Sequence, residues 1–127
     1  SDEGKIIIGE CGGLMTLCSS IVDLEGKSYK MAGIFDGDAV MCGRHGPTYN
    51  IAKPTSCNPV FSETVKGHSF HYSEIRLRKP YPLGFDLERG QGVEDHADGL
   101  VAKRTIGSYT HQHALSCRDW MGSLMRE

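Results

Sequence analysis

The segment Gly9-Glu10-Cys11-Gly12-Gly13 is the part of the sequence best suited to nucleophilic chemistry. Its form, glycine-x-nucleophile-x-glycine, is typical of a nucleophile held in a sharp strand-to-helix turn, here with cysteine as the nucleophile. Gly9, Gly12 and Gly13 would form this elbow, and its backbone N–H groups could stabilise an oxyanion. A helix that follows would lower the pKa of the Cys11 thiol through its dipole. The alternative is a tight turn with an inert, buried cysteine.

A general base for this cysteine is offered near the end of the chain, at His111 and His113. Histidine is the usual base for a cysteine nucleophile, and the end of a strand faces the same crevice as an elbow in an α/β sheet. Residues two apart share one face of an extended chain, so this spacing also permits metal ligation. Taken alone, the pair is more typical of a surface or core-edge histidine pair than of a catalytic base.

Two further polar segments invite a functional interpretation. The run His68 to Ser73 is more polar than a core strand, which indicates either a ligand-facing edge or a half-solvated strand. The run Cys42 to Pro47 is interpreted as a hairpin turn, with a substrate loop as the alternative. The sequence lacks H-x-x-x-H and C-x-x-C spacing, so no metal site is predicted.

The elements around these residues are predicted from hydrophobic spacing. Residues 5–9 predict a strand buried on both faces, and apolar positions three and four apart predict a helix over 12–22. Residues 117–125 predict a terminal helix. Short extended pieces separated by Gly and Pro are predicted at 29–35, 39–42, 49–52, 69–77, 84–88, 99–102 and 106–109.

Composition limits the class of protein. The 127 residues carry a net charge of −2, with 39% hydrophobic and 24% charged residues, which is typical of a single soluble domain. The near-neutral charge argues against nucleic-acid binding, and no apolar run is long enough for a membrane span or a signal peptide. Five cysteines without paired spacing favour reduced thiols and a cytoplasmic location.

Only one βα unit is evident, at the start of the chain. A doubly wound sheet needs several such units, so the sequence is interpreted as an α/β domain truncated at its N-terminus. The strand at Ile6 to Ile8 would then present an open sheet edge. A partner, a rearrangement or a homodimer could cover this edge.

Three motifs in order resemble a known family: residues 9–15, residues 67–73 and residues 109–113. They are similar to the glutamine amidotransferase domain of the cobyrinic acid a,c-diamide synthases, and more fully to nickel-sirohydrochlorin a,c-diamide synthase and siroheme amidase. The resemblance covers residues 4–122 and corresponds to the C-terminal portion of that domain. It implies a class I glutamine amidotransferase-like, flavodoxin-like α/β fold with a mixed sheet, and residues 1–127 as a partial domain.

The resemblance also implies roles for individual residues. Cys11 would attack the side-chain amide of glutamine, and His111 would act as base and then as acid toward ammonia. Related amidotransferases have a glutamate two residues after this histidine, where His113 stands here, which implies either a Cys–His dyad or His113 as a weaker orienting third member. His71, Tyr72 and Ser73 match the strand that holds the α-amino and carboxylate groups of glutamine.

Partners and cofactors follow from the same resemblance. The ammonia would amidate acetate side chains of a tetrapyrrole polycarboxylate, activated with ATP and Mg²⁺ on a separate synthetase domain or chain. This sequence contains no G-x-x-x-x-G-K-S/T phosphate loop, so we expect no cofactor on this chain itself. Two alternatives remain: a non-catalytic binding or assembly module, and a standalone Cys–His amide hydrolase.

Overall fold

A computed structural model of the chain describes residues 5–112, which form one mixed sheet of nine strands and one short helix. The elements in chain order are β1 (Ile7–Glu10), α1 (Gly12–Leu17), β2 (Cys18–Val22), β3 (Ser28–Lys30), β4 (Phe35–Pro54), β5 (Val65–Leu77), β6 (Leu83–Arg89), β7 (Ala97–Ala102), β8 (Thr105–Ser108) and β9 (His111–Gln112). This architecture agrees with the predicted α/β class.

The strands follow the order β1-β8-β7-β6-β4-β2-β3, and β5 pairs with both β4 and β9. The pairs β1/β8 and β2/β4 are parallel, and the remaining pairs are antiparallel. In the first of these pairs Glu10 lies opposite Ser108, which brings the end of β1 beside the end of β8. The elbow and the segment leading to His111 therefore start from neighbouring strand ends.

Strand β1 has partly buried side chains on both sides of the sheet, so the burial on both faces that its β-branched run predicts is found only in part. Ile6 and Ile8 pack against a cluster that contains Phe61 and Phe85, and Ile7 packs against a second cluster that contains Leu14. Alternate residues of a strand point to opposite faces, so the sheet has a hydrophobic core on each side. Helix α1 packs on the second of these cores.

The predicted helix over 12–22 is wrong in its second half. The helix ends at Leu17, and Cys18–Val22 is strand β2, parallel to β4. The N–H groups of Ala32 and Ile34 donate to the carbonyls of Thr16 and Leu17 at 3.1 and 2.9 Å, so the helix end is satisfied from outside. Sheet pairing thus overrides the helical spacing of the apolar residues.

The other predicted strands are mostly confirmed, with two differences. The pieces at 39–42 and 49–52 belong to one long strand, β4, so the hairpin turn interpreted at Cys42 to Pro47 is wrong. The piece at 29–35 shortens to β3. The terminal helix predicted at 117–125 lies outside the described residues. No helix within residues 5–112 is long and apolar enough to cross a membrane.

Candidate active site

The backbone at Cys11 is strained in the manner of a nucleophile elbow. Its φ of 53° and ψ of −103° lie in a region that residues with a side chain rarely occupy. The Cys11 N–H donates to the carbonyl of Ser108 at 2.8 Å, and the Cys11 carbonyl accepts from Met15 N–H at 3.1 Å. The turn is therefore held at both ends, by strand β8 and by the first turn of α1.

Close packing explains a glycine at position 9. A Cβ there would lie 2.8 Å from the backbone carbon of Gly13 and 2.8 Å from Cδ1 of Leu17. A Cβ at Gly12 or Gly13 would meet nothing within 4 Å. Of the three elbow glycines, only Gly9 is therefore required by close packing, between the strand and the helix.

The Cys11 thiol is half-buried and has one weak hydrogen-bond acceptor, the Phe70 carbonyl at 3.9 Å. Burial raises the pKa of Cys11, and a hydrogen bond from the Gly12 backbone opposes that rise only in part. This direction is opposite to the one expected from a helix dipole, since α1 has only six residues. A base is needed to produce the thiolate near neutral pH.

His111 lies in strand β9, opposite His68 of β5, and its side chain is exposed. Only Tyr109 and Thr110 separate it from Ser108, so at most about 11 Å of chain connects it to the residue that binds the Cys11 backbone. Within residues 5–112, the structure has no hydrogen bond between Cys11 and His111. His113, the third predicted member, lies outside the described residues.

The predicted glutamine-binding residues divide between the two faces of β5. His71 and Ser73 are buried, whereas Tyr72 is 49% exposed and contacts Phe70 edge to face. Strand alternation causes this division, so the three side chains do not face one ligand together. The structure brings only His71 and Ser73 to the Cys11 side of the sheet, where Ser73 contacts Met15 of α1.

Tyr109 connects these two residues to β8. Its ring stacks on His71 with centroids 3.5 Å apart, and its hydroxyl shares a 2.8 Å hydrogen bond with Ser73. The ring Nδ1 of His71 donates to the Ser73 carbonyl at 2.7 Å, which leaves Nε2 as the acceptor nitrogen of the neutral ring. Burial lowers the pKa of His71, so the ring is neutral at physiological pH.

A buried carboxylate, which the sequence interpretation did not include, organises the segment before His111. Asp98 is fully buried, and its Oδ2 accepts from the backbone N–H and the hydroxyl of Thr110 at 2.8 and 2.6 Å. Its Oδ1 accepts from the N–H groups of Val93, Gly99 and Tyr109. Burial raises the pKa of Asp98 and these donors oppose the rise.

Asn50 extends this network from β4. Its side-chain nitrogen donates to the Thr110 hydroxyl at 2.8 Å and to the Gln91 carbonyl at 2.9 Å. Its oxygen accepts from the Thr48 hydroxyl and the Gln91 N–H at 2.8 and 3.2 Å. The hydroxyl of Thr110 therefore accepts from Asn50 and donates to Asp98. These two hydrogen bonds hold the residue before His111 against β4 and β7.

One cavity of about 150 Å³ adjoins this region. It is lined by His45, His71, Tyr109, Glu74 and residues 91–95. In the part of the chain that the structure describes, one group of possible metal ligands comes together, namely Cys42, His45 and Glu74, and two of its members line this cavity.

The fold and the strained cysteine between β1 and α1 define a class I glutamine amidotransferase-like α/β protein. The particular family follows from comparison: the model of the CobB/CobQ-like glutamine amidotransferase domain matches residues 1–118, and the chain belongs to this family. The family resemblance inferred from the three motifs is confirmed at this level.

Curated relatives carry the name cobyrinate a,c-diamide synthase. The protein of Methanothermobacter thermautotrophicus is 37% identical over 127 residues, covering 98% of this chain and 27% of the relative. The protein of Haloarcula marismortui is 35% identical over 117 residues, covering 90% of this chain and 27% of the relative. The chain thus spans roughly a quarter of these relatives. In Listeria monocytogenes the relative is 35% identical over 116 residues.

Proposed function

We propose that this chain is the glutaminase part of an ATP-dependent tetrapyrrole a,c-diamide synthase. The observation that carries the proposal is the strained Cys11 turn, bound at its backbone to Ser108, in a chain of this amidotransferase family. Such a turn presents the thiol at the end of the strand, where an amide carbon can approach its exposed side.

In the proposed reaction, the Cys11 sulfur attacks the side-chain amide carbon of glutamine. The thiol proton passes to His111, which then protonates the departing nitrogen as the carbon–nitrogen bond breaks. Ammonia leaves, and water hydrolyses the resulting thioester to give glutamate and the free thiol. The raised pKa of Cys11 makes the base essential, since little thiolate exists without it.

His71 and Ser73 supply polar atoms for the glutamine backbone groups in this proposal. Nε2 of the neutral His71 ring can accept from the α-ammonium group, and the Ser73 hydroxyl lies beside Met15 below the elbow. Tyr72 lies on the other, exposed face of β5, where it is available to contact a molecule other than this glutamine. The third role assigned to His113 remains part of the proposal.

The substrate that receives the ammonia in the synthase reaction is a tetrapyrrole with acetate side chains. The names of the relatives support cobyrinate as this substrate, and the motif resemblance adds sirohydrochlorin-type tetrapyrroles as further candidates. ATP and Mg²⁺ would act on a synthetase domain or chain outside these 127 residues, because the sequence has no phosphate loop. A cytoplasmic location is proposed from the reduced cysteines.

The test is labelling with 6-diazo-5-oxonorleucine, a glutamine analogue that alkylates an activated cysteine, in the presence of a metal chelator. Peptide mass spectrometry should show modification of Cys11 over the other four cysteines and protection by glutamine. Cys11→Ser should abolish the labelling, and Cys57→Ser, at an exposed loop position, should leave it unchanged.

A second candidate, the non-catalytic binding module, is favoured by one observation: Cys11 and His111 share no hydrogen bond within residues 5–112. If iodoacetamide alkylates Cys11 but the glutamine analogue does not, even with an ATP-dependent synthetase chain added, this candidate replaces the glutaminase. Hydrolysis of other amides without ATP, and none of glutamine, would instead favour the standalone hydrolase.

A further inference from the structure

The side chains of Cys42, His45 and Glu74 converge where β4 passes β5. One ligand atom from each residue lies within 4.8 Å of the others, and all three residues are half-buried. The Cys42 sulfur is 3.4 Å from Nε2 of His45. Neither Cys11 nor His111 belongs to this group, but His45 stacks on His71, so the group adjoins the proposed glutamine site.

We propose that Cys42, His45 and Glu74 bind a divalent zinc-type cation with its fourth position open to the neighbouring cavity. Thiolate, imidazole and carboxylate are the ligands that zinc takes from proteins, and three protein ligands with one open position are typical of a reactive zinc site. The sulfur ligand disfavours magnesium and calcium, which prefer oxygen.

The spacing of the ligand atoms suits this ion. With a zinc–sulfur bond of about 2.3 Å and a zinc–nitrogen bond of about 2.0 Å, a tetrahedral site separates sulfur from nitrogen by roughly 3.5 Å. The observed 3.4 Å between Cys42 and His45 is already close to that value. The Glu74 ligand atom lies within 4.8 Å of the other two, and rotation about its side-chain torsions can bring it to bonding distance.

Neighbouring residues hold two of the three ligands in place. Arg76 donates two hydrogen bonds to Oε1 of Glu74, at 2.9 and 2.8 Å, and so leaves Oε2 available to an ion. The His45 ring stacks on His71 with centroids 5.1 Å apart and an interplanar angle of 11°. Such outer contacts orient ligands before a metal arrives and raise the affinity of the site.

An ion explains this convergence better than a catalytic relay does. In a thiol–imidazole–carboxylate relay, the carboxylate binds the ring nitrogen remote from the nucleophile, which separates it from the sulfur by the width of the ring. Here all three ligand atoms lie within 4.8 Å. The about 150 Å³ cavity beside His45 and Glu74 gives the open position room for water or a small anionic ligand.

The sequence prediction of no metal site rested on helical and paired-cysteine spacing. Cys42 and His45 are three residues apart at a register shift of β4, and Glu74 comes from the neighbouring strand. A site assembled across two strands at an irregular pairing has no spacing that the sequence alone can reveal.

The test is titration of the reduced, chelator-treated full chain with Co²⁺, which reports zinc-type sites by absorption. We expect one equivalent to bind, with a thiolate-to-cobalt charge-transfer band and the intense visible bands of a tetrahedral ion. Zn²⁺ should displace it. Cys42→Ser should abolish the charge-transfer band, and Glu74→Gln should weaken binding by more than the about 10- to 100-fold that the loss of an outer contact costs.

The matched control is Cys57→Ser, which removes an exposed cysteine outside the cluster and should bind as the wild type does. Circular dichroism establishes that each variant folds, and if Cys42→Ser fails to fold, His45→Gln takes its place with the same expected loss of tetrahedral bands. Absence of binding by the wild type overturns the proposal. Persistence of the thiolate band in a folded Cys42→Ser or Glu74→Gln variant at wild-type affinity also overturns it.

Discussion

At the scale of single residues, the environment of Cys11 matters more than its position in a motif. The motif predicts a thiol activated by a helix dipole, but α1 extends only from Gly12 to Leu17. Burial therefore dominates, and the pKa of Cys11 lies above its ordinary value of 9.0. A site that keeps its thiol protonated until a base takes the proton limits unwanted alkylation and oxidation, because only the thiolate reacts readily.

The raised pKa predicts the pH dependence of Cys11 alkylation. Since an acid with a raised pKa stays protonated to higher pH, the rate of reaction with iodoacetamide should rise at a higher pH for Cys11 in the folded chain than for an ordinary thiol. Peptide mass spectrometry over a pH series measures this rate in the folded chain.

The denatured chain is the control, because unfolding removes the burial that raises the pKa. In the denatured chain, the pH at which Cys11 alkylation reaches half of its maximum rate (its midpoint) should fall toward that of an ordinary thiol. Slow access alone would reduce the rate at every pH without moving the midpoint. A folded-state midpoint below that of the denatured chain would contradict the structural argument and indicate a cation or donor at the sulfur.

At the scale of elements, the segment from β8 to β9 is held by buried polar groups rather than by apolar packing. Asp98 in β7 and Asn50 in β4 meet at the Thr110 hydroxyl, which bonds both. Buried networks of this kind impose one arrangement when every member has its partner. Their effect here is to define the path that leads from Ser108, at the elbow, to His111.

Removing the Thr110 hydroxyl tests this positioning role. Thr110→Val keeps the shape of the side chain but leaves the buried Asn50 and Asp98 each short of one partner, at a cost of about 1–3 kcal/mol in the free energy of unfolding. Labelling of Cys11 by the glutamine analogue should slow, because His111 loses its fixed approach. Urea unfolding and labelling rates measure the two effects.

Thr110→Ser is the matched control, since it retains the hydroxyl and loses one methyl group. Its labelling rate should stay near that of the wild type even if its stability falls slightly. Equal labelling rates for the valine and serine variants would show that the hydroxyl has a structural role only. A loss of stability alone cannot make the labelling rates of the two variants differ at temperatures where both are folded.

Sequence patterns predict the start of this fold better than its middle. The run Ile6 to Ile8 and the glycines around Cys11 carry their information locally, and both the strand and the elbow conformation are found. Strand β2 was interpreted as helix because its apolar spacing suits both, and pairing with β4 decided the outcome. The roles of Asp98 and Asn50 depend on contacts across 12 and 60 residues, which no local pattern contains.

At the scale of the whole molecule, one sheet separates two hydrophobic cores. Phe35 belongs to the core under α1, and Phe85 belongs to the core on the other side. The central strands supply residues to both cores. For example, β7 and β8 pair, yet Leu100 of β7 lies in one core and Ile106 of β8 lies in the other. Loss of packing on either side should therefore loosen the same strands.

This arrangement predicts that the chain unfolds as a single domain. Phe35→Ala and Phe85→Ala should each lower the free energy of unfolding by about 3–5 kcal/mol, since both rings are almost fully buried. Hydrogen exchange should rise in peptides from both cores in either variant, and Leu24→Ala, at an 80% exposed position, should change neither. If Phe35→Ala loosened only α1 and its neighbours while peptides around Phe85 stayed protected, the two cores would be separate units. The elbow could then open without unfolding the sheet, whereas in a single cooperative domain the strain at Cys11 is sustained by the stability of both cores together.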